Sequence, residues 1–202
     1  MNYYSSILIK KQLIRRMVFL PFMFFLACGL LAGCSAPANQ HSTPVEETLH
    51  PALLTQDEAI TRAFAWLHTQ QTPDGAIGGP GLSCDFARLV ALAGQDPDGP
   101  SWTPEDISLL QRCKLDAPAF LAKDDAGHIA KVLRTAIATD QNPRSFAGID
   151  LVEKLESHFD MATGLYHPQN LFRDSLALIA LQDAGRPLPE KAGAALLLQQ
   201  HP

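Results

Sequence analysis

The sequence predicts an all-α domain of stacked helix pairs, and three observations carry that prediction. Three segments of the 202-residue chain close on a proline: residues 91–97 (ALAGQDP), 137–143 (IATDQNP) and 181–187 (LQDAGRP). Pro97, Pro143 and Pro187 stand 46 and 44 residues apart, the spacing of a supersecondary unit that repeats. Apolar residues then recur with helical period: Ile129, Val132, Leu133, Ala136 and Ile137 fall at i, i+3, i+4, i+7 and i+8. Finally, no convincing run of alternating strand residues is present.

In chain order, Lys10, Lys11, Arg15 and Arg16 make a basic opening without an acid, and Met17 to Leu31 is an uncharged, mostly apolar run of fifteen. A spanning helix needs roughly 20 such residues, whereas a signal-peptide core needs roughly 7–15. Leu31-Ala32-Gly33-Cys34 closes the run and resembles a bacterial lipobox: a Leu, two small residues, then the cysteine that takes the lipid. The resemblance implies a diacylglyceryl group on Cys34, cleavage after residue 33 and an acylated new amino terminus. Ser35 in place of Asp favours the outer membrane if the host is Gram-negative. The competing reading is an ordinary N-terminal membrane anchor; a weaker site at Ala27-Cys28 lacks the Leu.

Removing residues 1–33 takes four bases and no acid, so the net charge of −5 becomes −9, with 12 Lys+Arg against 21 Asp+Glu. So acidic a body argues against nucleic acid as a partner and against a polybasic contact with anionic lipid. Membrane attachment would rest on acyl chains, two or more of which anchor durably. Residues 34–54 follow as the lipidated cysteine and a flexible tether: SAPANQHSTPVEETLHPALL has three prolines and no period. A coil of about twenty residues reaches roughly 25 Å. Residues 55–202 are long enough for one core.

The first helix of each unit carries a start signal. Thr55-x-x-Glu58 is a capping box, Thr103-Pro104 reads as an N-cap followed by proline, Asp150-x-x-Glu153 places an acid after a cap, and Pro189-Glu190 opens a fourth unit. Second helices are expected over about 85–95, 128–139 and 174–184. Phe64 and Trp66 are read as core residues. Cys84 would open the second helix of the first unit and Cys113 close the first helix of the next. Antiparallel packing of those helices in an oxidising compartment makes a Cys84–Cys113 disulfide, worth roughly 3.5 kcal/mol in the chain-entropy account; the alternative is two buried thiols.

Residues 63–73 (AFAWLHTQQTP) are echoed at 192–202 (AGAALLLQQHP). With Arg62, Trp66, Leu67, Gln71, Gly75 and Ile77, the first copy resembles the QW repeat of squalene-hopene and related terpene cyclases, with Ile77 at the terminal aromatic position. In that family the motif ties a helix C-terminus to the following turn. The resemblance extends to the terpene cyclase/protein prenyltransferase α/α toroids over residues 55–202, and implies a partial ring of six to seven helices. The chain stops where the repeat would continue, with Leu196, Leu197 and Leu198 in a row. The expectation is therefore a truncated product, or an apolar edge covered by a partner protein or a second copy.

The chemistries of that superfamily are not written in this chain. Lys123-Asp124-Asp125-Ala126 lacks the first Asp of an Asp-x-Asp-Asp acid, and Cys84-Asp85 has the wrong order for a zinc-holding Asp-x-Cys pair. No Cys-Gly-Glu-Gln thioester, phosphate loop or Gly-x-Ser-x-Gly elbow is found. No catalytic residue, metal or cofactor is assigned. One constellation remains. The loops joining first to second helices carry Asp74, Asp85, Asp124, Asp125, His128, His167, Arg173 and Asp174, and in a helix-pair ring they fall at one end. They serve there as helix caps (Asp85 and Asp174 stand where N-caps are wanted), as ligand contacts or as acid–base groups. The function expected is a lipid-anchored envelope protein, a non-catalytic binding or interaction module with a hydrophobic small-molecule ligand. The alternatives are a superfamily enzyme with its catalytic half elsewhere and a partner-docking repeat.

Overall fold

The computed structural model describes residues 54–199; the lipobox-like cysteine Cys34, the tether up to residue 53 and the final Gln-His-Pro lie outside the described residues. The described residues form seven α-helices: α1 (Gln56–Gln70), α2 (Pro80–Leu92), α3 (Leu109–Leu121), α4 (Ala126–Ala138), α5 (Leu151–Glu156), α6 (Leu171–Asp183) and α7 (Glu190–Leu198). A single 3-10 turn spans Pro100–Trp102, and there is no strand among these residues, only isolated antiparallel bridges. None of these helices is long and apolar enough to cross a membrane.

Local chemistry sets the helix starts. Thr55 and Glu58 close a full capping box at α1, Asp150 accepts the N–H groups of Val152 and Glu153 at α5, and Pro189 precedes α7. The expected start at Thr103-Pro104 is incorrect. The Thr103 hydroxyl donates to the Gly99 carbonyl at 2.9 Å, closing the 3-10 turn, and α3 begins only at Leu109, where Ser108 and Gln111 form a complete capping box. Asp85 and Asp174 are not N-caps either. Gly79 and Asn170 hold those positions, because α2 and α6 start earlier than their apolar periodicity suggests.

The three second helices, α2, α4 and α6, end alike. Gly94, Asp140 and Gly185 take left-handed φ values of 78°, 56° and 68°. The next residues, Gln95, Gln141 and Arg186, each donate their N–H to the carbonyl five residues back, at 3.1, 2.8 and 2.9 Å. This is the Schellman closure of a helix C-terminus. The carbonyls of Pro97 and Pro143 then accept the N–H of Leu110 and Leu151, at 3.1 and 3.0 Å, fastening the next first helix. The repeated prolines thus mark a repeated way of ending one helix and starting another.

Packing follows the pairing. α2, α4 and α6 lie side by side with α4 in the middle; α3 packs on α2 and α4, α5 on α4 and α6, and α7 on α6. The main core draws on α2 through α7, around Leu110, Ile129, Leu133, Leu155 and Leu181. A smaller core gathers Leu67, Ile77, Ala87, Val90, Trp102 and Leu109. Cys84 on α2 and Cys113 on α3 are fully buried and joined as a disulfide, Cα atoms 4.8 Å apart.

Trp66 is not a core residue: it is 58% exposed. It stands one residue, about 100° of helix turn, from Leu67, the buried residue of α1. The aromatic anchor is Trp102 instead, fully buried, stacked on His68 at 3.9 Å and met edge-on by Phe64 at 6.1 Å. Its indole N–H donates to Gln95 Oε1 at 3.0 Å.

Gly75 admits no side chain. Its φ is +82°, and a Cβ there would lie 2.4 Å from the Ile107 carbonyl oxygen. Gly75→Ala is expected to lower unfolding free energy by about 2 kcal/mol or more, read from urea denaturation. The disulfide closes a loop with a sequence separation of 29. A Cys84→Ala/Cys113→Ala variant should lose roughly 3.5 kcal/mol in the same assay.

Candidate functional site

Two turn motifs position the second helices. After α1, the Gln71 side-chain amide donates to the carbonyls of Gly75 and Trp102 at 3.1 and 3.0 Å, and Gln71 pairs with Ile77 in an antiparallel bridge. Gln71 therefore links the end of α1 to its turn and to the next unit, while Leu67 and Ile77 bury their side chains beside it. Arg62 and Trp66 stay exposed. The Ile77 N–H then donates to Ser83 Oγ at 3.1 Å, and in the third unit the Tyr166 N–H donates to Asp174 Oδ1 at 2.6 Å. Ser83 and Asp174 are both buried and both stand three residues into their helices. Asp174 thus anchors an incoming extended segment.

These turns bring the N-terminal ends of α2, α4 and α6 around one open cleft of about 700 Å³. Leu82, Phe120, Phe172 and Leu176 supply its apolar walls; Lys123, Lys131, Arg173 and His128 supply its polar ones; among the described residues no Asp or Glu lines it. Two glycines shape it. A Cβ on Gly81 would meet the Phe120 ring at 2.6 Å, and one on Gly127 would meet Arg173 Cγ at 2.7 Å. Without them neither side chain could lie across the adjacent helix end.

The acids stand behind the cations. Asp125 caps α4, accepting the His128 N–H at 3.0 Å, and its other oxygen meets Arg173 Nη1 and, at 3.3 Å, His167 Nε2. Burial opposes ionisation of Asp125. The His128 N–H and the charges of His128, Arg173 and His167 outweigh it and hold the carboxyl below its ordinary value. Asp85 pairs with Lys131 at 2.7 Å. His128 lies against Phe120, ring centroids 4.3 Å apart, and burial pushes its pKa down; Asp125 resists this, while Arg173, Lys123 and Lys131 reinforce it.

Of the eight expected rim residues, the structure therefore places His128 and Arg173 in the cleft, with Asp85, Asp125 and His167 supporting it. Asp74 pairs with Arg112 on α3 at 3.4 Å and Asp124 with Lys154 on α5, neither lining the opening, and Asp174 is taken up by the Tyr166 N–H. Sequence reasoning missed Lys123, Lys131, Phe120 and Phe172. Lys131 was findable, three residues after His128 on the same helix face; the ring positions were not. The described residues hold no group of three or more His, Cys, Asp or Glu disposed around a metal position.

Acid should loosen this end of the domain. The folded state holds His128 below its ordinary value of 6.5, so the unfolded chain takes up that proton first. Its contribution is complete above about pH 6.5 and is lost as pH falls through the folded value. Asp125, also depressed, adds a loss at lower pH, below 3.8. The melting temperature should be flat from about pH 8 to 7 and decline toward pH 5, with a shallower decline in His128→Asn, as read by circular dichroism.

Comparison with known proteins returns no match to this chain: no protein family, no curated protein and no solved structure.

Proposed function

We propose that this chain is an exported lipoprotein, held at the cell envelope by acyl chains on Cys34, whose helical domain binds an apolar or amphipathic small molecule in the cleft between α2, α4 and α6. The cleft carries the reading. Phe172 and Leu82 are 71% and 49% exposed, large apolar side chains turned to one opening of about 700 Å³. Small-molecule sites generally enclose about 300–1,000 Å³ with a mostly apolar lining and a few polar groups. The lipobox-like segment supports export, and a buried Cys84–Cys113 disulfide suits an oxidising compartment. The adjacent second helices with first helices packed on them, the repeated C-terminal closures and the Gln71 tie support assignment to the α/α toroids. Two of the cleft's cations, Lys131 and Arg173, are held in ion pairs with Asp85 and Asp125, an arrangement suited to binding.

A second reading is favoured by α7, where Leu197 and Leu198 are 65% and 84% exposed. An apolar edge of that kind is suited to a protein partner or a second copy.

The test is photolabelling of the full chain in lipid nanodiscs with a neutral long-chain diazirine alcohol, mapped by mass spectrometry. Labels are expected within residues 79–82, 119–131 and 170–176, with most of that signal lost in Leu176→Asp. Labelling confined to α7 would transfer the argument to the docking reading. The first residue of the membrane-extracted protein should be Cys34, acylated, as read from the mass of its N-terminal peptide; an unprocessed N-terminus would overturn the lipoprotein reading.

A further inference from the structure

We infer that the cleft selects an amphiphile with one long apolar chain and a single negative charge, a fatty-acid-like monocarboxylate; the inference rests on the ligand-binding reading above. Charge distribution is the first observation. Acids outnumber bases 21 to 16 in the chain, yet among the described residues three cations and no carboxylate line this opening. A surface that is acidic elsewhere and free of acid here favours an anion.

The cations are not equally available. Lys131 is neutralised by Asp85 at 2.7 Å and Arg173 by Asp125, neither acid lining the cleft. Lys123 has no carboxylate partner among the described residues. The cleft therefore carries one uncompensated positive charge. One carboxylate matches it. A cationic head would be repelled, a neutral head would leave Lys123 unpaired, and a diphosphate would bring more negative charge than the site balances while losing its hydration.

The apolar residues set the rest of the ligand. Phe120 lies three residues before Lys123, and Leu82, Phe172 and Leu176 complete the walls. A chain leaving the Lys123 ammonium has hydrocarbon on its path, and covering exposed Leu82 and Phe172 removes apolar surface from water. The same groups that bind the chain exclude water from the ion pair, which strengthens it.

The experiment uses the full chain in phosphatidylcholine nanodiscs at mildly alkaline pH, where a fatty acid is ionised. Two probes of equal length, a diazirine palmitic acid and the corresponding diazirine alcohol, are compared at equal concentration, with unlabelled palmitate and an isoprenoid diphosphate as competitors. The acid should label the cleft about tenfold more than the alcohol, the worth of a charge-assisted contact. Lys123→Gln should erase that difference, the acid falling to the level of the alcohol. Equal labelling by acid and alcohol overturns the charge selection and leaves small-molecule binding standing. Displacement of the acid more strongly by the diphosphate than by palmitate overturns the single-charge assignment. Absence of cleft labelling by either probe overturns this inference and the ligand-binding reading together.

Discussion

The domain depends on α4. It is the helix that packs on both α2 and α6, and it also takes contacts from α3 and α5. Eight of its residues are buried, including Ile129, Val132 and Leu133. Between them stand Gly127, Ala130 and Ala136, small enough to let the flanking helices approach closely. Thr135 lies in the same interface without an orphaned polar atom, since its one hydroxyl hydrogen has two carbonyl acceptors in reach, Cys84 on α2 at 3.1 Å and Lys131 on α4 at 3.0 Å. Helices of this length are marginal alone, so their stability comes from the packed faces. A change that pushed α2 or α6 off α4 would undo the core and the cleft at once, because both are built on the same three helices.

Much of this was legible in the sequence where the cause was local. The capping box at Thr55, the cap at Asp150, the helical period of α4 and the recurring prolines depend on residues a few positions apart, and each has its counterpart in the structure. The failures came where two local signals competed or where a partner was distant. Thr103-Pro104 and Ser108-x-x-Gln111 both look like helix starts, and only completion of the second box decides between them. Trp66 and Trp102 are equally apolar, but the residues that enclose Trp102, among them His68 and Gln95, lie on different segments. Asp174 looked like a cap; its true partner is the Tyr166 N–H, fixed by a turn no pattern predicts. For the cleft, helix-pair logic placed the loops at one end, yet it could not tell that Asp74 and Asp124 pair with Arg112 and Lys154 and do not line the opening.

The charge pattern separates support from contact. Asp85 and Asp125 lie close enough to hold Lys131 and Arg173, and neither lines the opening. Asp125 has a further duty, since its capping bond to His128 fixes the first turn of α4. One carboxylate therefore sets a helix end and the position of a cleft side chain together. Its removal would leave Arg173 without its partner beside a half-buried His128, and the cost would fall on fold and cleft alike. The acids at this end are better understood as scaffolding that keeps the cations in place than as groups that meet a ligand.

Gly81 and Gly127 carry that logic to the apolar side. Each occupies the first turn of a second helix and yields its Cβ space to a side chain from another element, Phe120 from α3 in one case and Arg173 from α6 in the other. The contacts tie α2 to α3 and α4 to α6 at the edge of the cleft. A site built this way stands open before a ligand arrives, so binding need not reorder its walls, and less affinity is lost to conformational entropy. The arrangement leaves apolar surface facing water, which costs stability in the empty protein. Phe172, 71% exposed on α6, bears most of that cost, and no packing partner within the described domain relieves it. Under the proposed reading, that exposed ring is the surface with most to gain from a ligand entering the cleft.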